Sequence, residues 1–186
     1  LGRLQKYSGG HQRPKVTKLG GTAWEKVKSK ARQAAEEDAL ALLDLYARRE
    51  MAPGYAFSPP DDYFRSFEST FPFQETNDQA RSIDEVLADM TRARPMDRLL
   101  CGDVGFGKTE VALRAAMRAV LDGKQVCLLV PTTVLSLQHF KTFRARFSAY
   151  PIEVALFSRL VSSTDLKMQL AELKKGTIDI AIGTHR

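Results

Sequence analysis

The sequence predicts an α/β fold: a parallel sheet with flanking helices, entered through a long linker helix. Three observations carry that reading. Residues 102–109 (Gly102-Asp103-Val104-Gly105-Phe106-Gly107-Lys108-Thr109) spell G-x-x-x-x-G-K-[ST], the spacing of a phosphate-binding loop. Around and beyond that loop, short apolar runs alternate with helical spacings. Ahead of it, a helical stripe extends from residue 22 to about 49.

Residues 1–21 are a Gly-, Lys- and Arg-rich lead without a sustained period, and Leu1 to Tyr7 read as the tail of a strand. Thr22 is expected to cap a helix reaching about Arg49. Trp24, Val27, Ala31, Ala34 and Asp38 alternate at three- and four-residue spacing, and Leu42, Leu45 and Tyr46 continue the stripe. The other face is charged, so this helix is expected to lie on a surface rather than in a core. Pro53-Gly54 and Pro59-Pro60 break the chain. A short helix, Asp62 to Ser69, leads to Phe71-Pro72-Phe73. The expected organisation is a basic lead (1–21), a long helix with its connector (22–70), and a nucleotide-binding lobe (71–186).

Within that lobe, Thr76 to about Thr91 reads as a helix and Arg98 to Cys101 as the strand feeding the glycine loop. Glu110 to Leu121 follows as a helix, with apolar residues at 111, 112, 115, 116 and 119 and a stop at Asp122-Gly123. Further strands are expected at Gln125–Val130, Ile152–Phe157 and Ile178–Ile182, separated by helices at Val134–Tyr150 and Thr164–Lys175. Continuous apolar runs such as QVCLLV suit a parallel sheet covered on both faces.

Composition narrows the class. With 186 residues and 44% hydrophobic content, the chain can build one domain plus an appendage. No apolar run approaches the ~20 residues that span a bilayer, and the N-terminus lacks the apolar core of a signal peptide. Cys101 and Cys127 sit in apolar runs and are expected to be small buried thiols, which suits a reducing, cytoplasmic setting. The net charge of +6 is uneven: residues 1–32 hold nine Lys/Arg and one acid, the remainder 19 and 21. The basic arm suits either an acidic partner such as nucleic acid or a solvated linker.

The glycine loop implies its own chemistry. Glycines let the backbone from Gly102 through Glu110 wrap a phosphate with its N–H groups, and the helix that follows turns its positive end to the same anion. Lys108 would reach the β- and γ-phosphates, and Thr109 would ligate Mg²⁺ through its hydroxyl. Upstream, Thr76 and Gln79 form a T-x-x-Q capping box. The same segment also suits adenine, with Phe73 stacking on the base and the Gln79 amide meeting its N6/N7 edge. The two readings are compatible. Thr132 and Thr133 after one strand, Gln138 and His139 in the next helix, Arg159 after another strand, and Thr184, His185 and Arg186 after the last suit polynucleotide phosphates. Helix capping by Thr133 and Thr184 is the plain structural alternative. His11, His139 and His185 are scattered, which argues against a histidine metal site.

The stretch from Pro95 through Ala112, PMDRLLCGDVGFGKTEVA, resembles the motif I region of the bacterial transcription-repair coupling factor family. Phe71-Pro72-Phe73 through Gln79 resembles its Q-motif, Val130-Pro131-Thr132-Thr133 through His139 its motif Ia, and Ile182 through Arg186 a further DNA-contacting motif. Lys18-Leu19-Gly20-Gly21, Trp24 and the long helix resemble the stretch joining that family's polymerase-binding module to its motor. The resemblance implies an incomplete P-loop NTPase lobe of RecA-like type from a superfamily 2 double-stranded DNA translocase. Such a motor uses ATP with Mg²⁺ to displace stalled RNA polymerase and recruits excision-repair proteins. By that resemblance, Phe73 and Gln79 hold adenine, Lys108 and Thr109 hold phosphates and metal, and Thr132, Thr133, Thr184, His185 and Arg159 face DNA. The chain departs from the pattern at Leu160-Val161, where a Phe and a basic residue are expected after Ser158-Arg159. A fork-regressing helicase shares the motor motifs but is expected to carry Ser at position 106. A truncated, inactive nucleotide-binding module is a third reading. No Walker B acidic pair follows the last strand, since Asp84-Glu85 precedes the loop. The chain is therefore expected to be a fragment that does not turn over ATP alone.

Overall fold

The computed structural model describes residues 22–185. They form two compact units, one ending at Ala52 and the other beginning at Pro53. The lead 1–21, its expected strand tail and Arg186 lie outside the described residues.

The described part of the first unit is one helix, α1 (Thr22–Met51). Ala, Leu, Glu, Lys and Arg dominate it, and neither Gly nor Pro interrupts it, so local propensity supports every turn. Ion pairs one turn apart add to this: Glu25–Lys28 at 2.7 Å, Arg32–Glu36 at 3.1 Å and Asp44–Arg48 at 2.8 Å. Thr22 is already helical and does not act as the expected cap. No residue of α1 is buried, and Trp24, Val27, Leu42, Leu45 and Tyr46 all stand exposed.

The second unit contains α2 (Asp62–Ser69), α3 (Asn77–Met90), α4 (Lys108–Leu121), β1 (Val126–Leu129), α5 (Thr133–Arg146), β2 (Val154–Phe157), α6 (Ser163–Lys175) and β3 (Ile180–Gly183). The strands make one parallel sheet in the order β1-β3-β2, with Ile180 level with both Val126 and Val154. The Ile-Ala-Ile-Gly strand β3 takes the centre and is buried throughout. Gly183 is required there, because a Cβ would come within 2.4 Å of the Phe157 carbonyl oxygen. One core joins Phe64 and Phe67 of α2, Leu113 and Met117 of α4, Phe143, Phe147, and the strand residues Val154, Ile180 and Ile182. The Phe67 and Phe147 rings stack at 5.1 Å. A second cluster packs Ile83, Val86 and Met90 of α3 on Val111 and Ala119 of α4.

Two further sequence expectations need correction. Arg98 to Cys101 is not a strand. Among the described residues every strand pairing involves β3, so this segment has no ladder to join. Leu99 is 87% exposed, and the Arg98 guanidinium instead binds Asp89 and Glu85 of α3, each at 2.6 Å. Nor are the cysteines buried: Cys101 and Cys127 are both free and exposed. Cys101 lies on the unpaired segment, and Cys127 is at an exposed position of β1, an edge strand whose residues alternate between half-buried and exposed.

Candidate nucleotide-binding site

The glycine loop enters α4 through two residues in the left-handed region, Gly105 (φ 84°) and Gly107 (φ 72°), a conformation natural only to glycine. Gly107 is doubly constrained, because a Cβ there would meet the Gln79 Nε2 atom at 2.1 Å. As the N-cap of α4 it brings no side chain to the first-turn amides, so none competes with an anion for them. The Lys108 ammonium is folded back over the loop, donating to the Gly102 and Asp103 carbonyl oxygens, each at 2.6 Å. Beside it opens a cleft of about 540 Å³ lined by Thr76, Gln79, Gly102, Asp103, Phe106 and Lys108. That volume suits a small-molecule ligand.

Gln79 ties the cleft together. Its backbone N–H donates to Thr76 Oγ1 at 3.3 Å, and its Oε1 accepts from the Thr76 N–H at 2.8 Å, completing the capping box. Its Nε2 then donates to the Phe106 carbonyl oxygen at 3.0 Å, joining the start of α3 to the glycine loop. Phe73 is not brought to the cleft: it is 73% exposed and rests edge-on against Phe71 at 5.6 Å. Val104 and Phe106 are exposed on the loop, and Thr109 is half-buried in the first turn of α4.

Glu110 turns away from the loop. Its N–H is taken by the Gly107 carbonyl oxygen at 2.9 Å. Its buried carboxylate accepts from Arg114 and Arg146, each at 3.1 Å. It is three residues past the N-cap, on the inner face of α4, so it belongs to the core rather than to the phosphate cradle.

That inner face carries a charged network absent from the sequence reading. Arg114, 6% exposed in its side chain, holds Glu110, Glu68 at 3.0 Å and Glu75 in a close ion pair. Arg118 pairs closely with Asp122 and donates to the Pro59 carbonyl oxygen at 3.1 Å. Asp122 also accepts from the Ser58 N–H and hydroxyl at 2.7 and 3.1 Å. Arg146 reaches the Phe67 carbonyl oxygen at 3.1 Å and lies over the Phe67 ring at 4.3 Å. Together these contacts fasten the connector 58–75 to α4 and α5. Burial pulls the Arg114 guanidinium down, but its carboxylate partners, Glu75 foremost, outweigh it and hold the pKa above the usual arginine value. The hydrogen bond from Arg114 holds Glu75 below the usual carboxylate range, whereas burial pushes Glu68 above it. A signal for part of this was readable: Glu110, Arg114, Arg118 and Asp122 recur every four residues, one ionic stripe along a helix otherwise apolar beyond Thr109.

The residues expected to face a polynucleotide divide. Because β1, β2 and β3 are parallel, Thr132, Arg159 and Thr184, which follow them, share one end of the sheet. Thr132, not Thr133, caps α5, accepting from the Leu135 N–H at 3.2 Å. Thr133 is the first residue of α5, Gln138 is exposed on it, and His139 leans toward Phe143 with ring centres 6.5 Å apart. Thr184 begins no described helix; its N–H bonds to the Phe157 carbonyl oxygen at 3.4 Å. His185 is exposed. Among the described residues no group of three or more His, Cys, Asp or Glu side chains could hold a metal ion, and no helix is long and apolar enough to cross a membrane.

A parallel sheet, a glycine loop entering a helix and a lysine poised over that loop define a P-loop NTPase-like lobe. The chain belongs to the DEAD/DEAH box helicase family, whose model matches residues 76–186. It is 54% identical over 187 aligned residues to the transcription-repair-coupling factor of Bacillus subtilis, covering 100% of this chain and 16% of that protein. The factor of the same name from Myxococcus xanthus is 51% identical, covering 98% of this chain and 15% of that protein. The chain thus spans about one-sixth of these relatives, and the resemblance drawn from the motifs is borne out. In three dimensions it is similar to RecG bound to a three-way DNA junction, with a TM-score of 0.72 and 36% identity, covering 78% of this chain and 20% of that one.

Proposed function

We propose that this chain is the ATP-binding segment of an ATP-dependent double-stranded DNA translocase that couples transcription to excision repair. The whole motor displaces stalled RNA polymerase, hands the lesion to excision-repair proteins, and works in the cytoplasm. The observation carrying this reading is the Lys108 ammonium held over a glycine loop whose following helix has no side-chain cap. Those two carbonyl contacts hold a cation where an incoming triphosphate would meet it, and the bare amides of α4 supply the fixed dipoles. ATP is the nucleotide in this reading, because Gln79 borders the cleft and can exchange its Phe106 contact for an adenine edge, with Phe73 closing on the base. Thr109, in the first turn of α4, would hold Mg²⁺ through its hydroxyl, and the metal would supply positive charge at the phosphates. Duplex DNA would run along the end of the sheet bearing Thr132, Arg159 and Thr184, with Thr133, Gln138, His139, His185 and Arg186 as further contacts.

The chain alone binds ATP without turning it over. Hydrolysis also needs a carboxylate to hold Mg²⁺ and orient water. The described residues following β1, β2 and β3 are Val130-Pro131-Thr132, Ser158-Arg159 and Thr184-His185, none of them acidic. A fork-regressing helicase is the second reading. The match to coupling factors over the whole chain, including the stretch ahead of the motor, favours the first.

The test is Lys108→Ala. ATP titrated with Mg²⁺ should bind the unsubstituted chain and lose at least about tenfold in affinity to the variant, the scale of one charge-assisted contact. Unchanged affinity in the variant would mean that the loop is not the phosphate site. DNA-stimulated phosphate release by the unsubstituted chain would instead reveal a complete active site.

A further inference from the structure

Arg114 touches neither the glycine loop nor the cleft, yet its partners sit on both sides of the site. Glu110 directly follows Thr109, and Glu75 directly precedes Thr76. Thr76 is the N-cap whose hydrogen bonds orient Gln79, and Gln79 is the side chain that reaches the loop at Phe106. One guanidinium therefore holds the residue after the metal ligand and the residue before the base-side cap. It also lies 5.8 Å from the Phe71 ring, which supports Phe73 edge-on.

We infer that Arg114 is a positioning residue that couples the base-recognition segment, Phe73 to Gln79, to the phosphate loop, with Glu75 as the arm that transmits base selectivity. This rests on the proposal above that the cleft takes ATP. A guanidinium suits the task because its donors form a rigid fork that can meet several carboxylates at fixed angles, which a lysine ammonium does not do. Burial makes the arrangement stiff: the Arg114 side chain is 6% exposed, so its carboxylates cannot be traded for water without a large desolvation cost. A nucleotide that draws Gln79 off Phe106 would meet a side chain whose helix start is anchored through Glu75. Without the anchor the helix start can shift, and adenine is then no better accommodated than another purine.

Glu68 supplies the internal control. It binds the same guanidinium at 3.0 Å with similar exposure, 30% against 31% for Glu75, but it sits in α2, away from the cap. A purely structural ion network predicts that losing either carboxylate has similar consequences. The coupling predicts that only Glu75 governs base selectivity.

The experiment measures ATP and GTP affinity, with Mg²⁺, for the full chain and for Glu75→Ala, Glu68→Ala and Arg114→Lys, alongside each thermal unfolding midpoint. The unsubstituted chain should favour ATP. Glu75→Ala should reduce the ATP-to-GTP ratio about tenfold through ATP alone, the scale of one lost charge-assisted hydrogen bond. Glu68→Ala should leave the ratio within about twofold while lowering the midpoint. Arg114→Lys should reproduce the Glu75→Ala loss of selectivity, and it decides the matter if Glu75→Ala does not fold. A ratio that survives both Glu75→Ala and Arg114→Lys, or that falls equally in Glu68→Ala, overturns the coupling and leaves the ATP site standing. An unsubstituted chain that binds ATP no better than GTP overturns the adenine reading and the coupling with it.

Discussion

Helices α1 and α4 use the same local device and obtain different things from it. Both place opposite charges one turn apart: Arg32–Glu36 and Asp44–Arg48 on α1, Glu110–Arg114 and Arg118–Asp122 on α4. On α1 every partner stands in water and no residue is buried. On α4 eight of 14 residues are buried, three of them charged. Exposed pairs of this kind contribute roughly 0–1 kcal/mol each. Buried ones act through the penalty of breaking them, because the partner left behind has no water to return to. The spacing in the chain is identical, so the difference lies in what packs on the helix. The connector 58–75 carries Pro59, Glu68 and Glu75 onto the charges of α4, where the pairs are buried, whereas no residue of α1 is buried.

The sharpest way to break the comparison is Asp122→Ala. It strands the Arg118 guanidinium, 3% exposed, with the Pro59 carbonyl as its remaining partner. The expected loss is about 3–5 kcal/mol in a urea unfolding titration. A loss under about 1 kcal/mol would mean that the α4 pairs behave like surface pairs.

Acid should erode the second unit less abruptly. Burial pushes the Asp122 carboxyl up, but the Ser58 hydrogen bonds and Arg118 outweigh it and hold the group below its ordinary value. Arg114 does the same for Glu75, and Arg98 for Asp89. Their stabilisation is complete above the ordinary carboxylate range, and it is lost as pH falls through that range toward the lower folded values. Glu68, raised by burial, works in the opposite sense and offsets part of it. Three lowered groups against one raised predict that the unfolding midpoint drops between about pH 6 and pH 3. A midpoint that holds or rises over that interval would show that the network contributes nothing through its charge.

The smallest effect belongs to α1. Arg32→Ala removes an ion pair 83% and 65% exposed in its two side chains and places the best helix former in its stead. Helicity by circular dichroism should change little, and stability by under about 0.5 kcal/mol. A larger loss would show that α1 is held by its charges rather than by propensity.

Several features were legible in the chain because they depend on residues close in sequence. The helix over Asp62–Ser69 falls where the pattern placed it, and so do the Thr76–Gln79 capping box and the Gly176 stop of α6. Each rests on local backbone chemistry: a side chain capping its own helix, or a glycine taking φ 79°. The glycine loop was legible for the same reason, since its left-handed turns need glycine at fixed offsets. The helices of the lobe were also recoverable to within a few residues, because an amphipathic period survives whichever surface eventually covers it.

What tertiary structure decided is whatever needs a distant partner. Arg98 to Cys101 has the composition of a strand, but a strand exists only where another backbone meets its N–H and C=O groups, and no described strand does. Cys127 reads as a core thiol, yet it lies exposed on an edge strand. Glu110 reads as the next residue of a phosphate motif, yet its carboxylate is claimed by Arg146, which is 36 residues away. Gln79 was legible as a cap and as a base reader, but its bond to Phe106 spans 27 residues. Local rules act over one turn and can be read from the chain alone. Ion pairs, sheet edges and burial are set by which segments meet, and there only the packed fold assigns the partner.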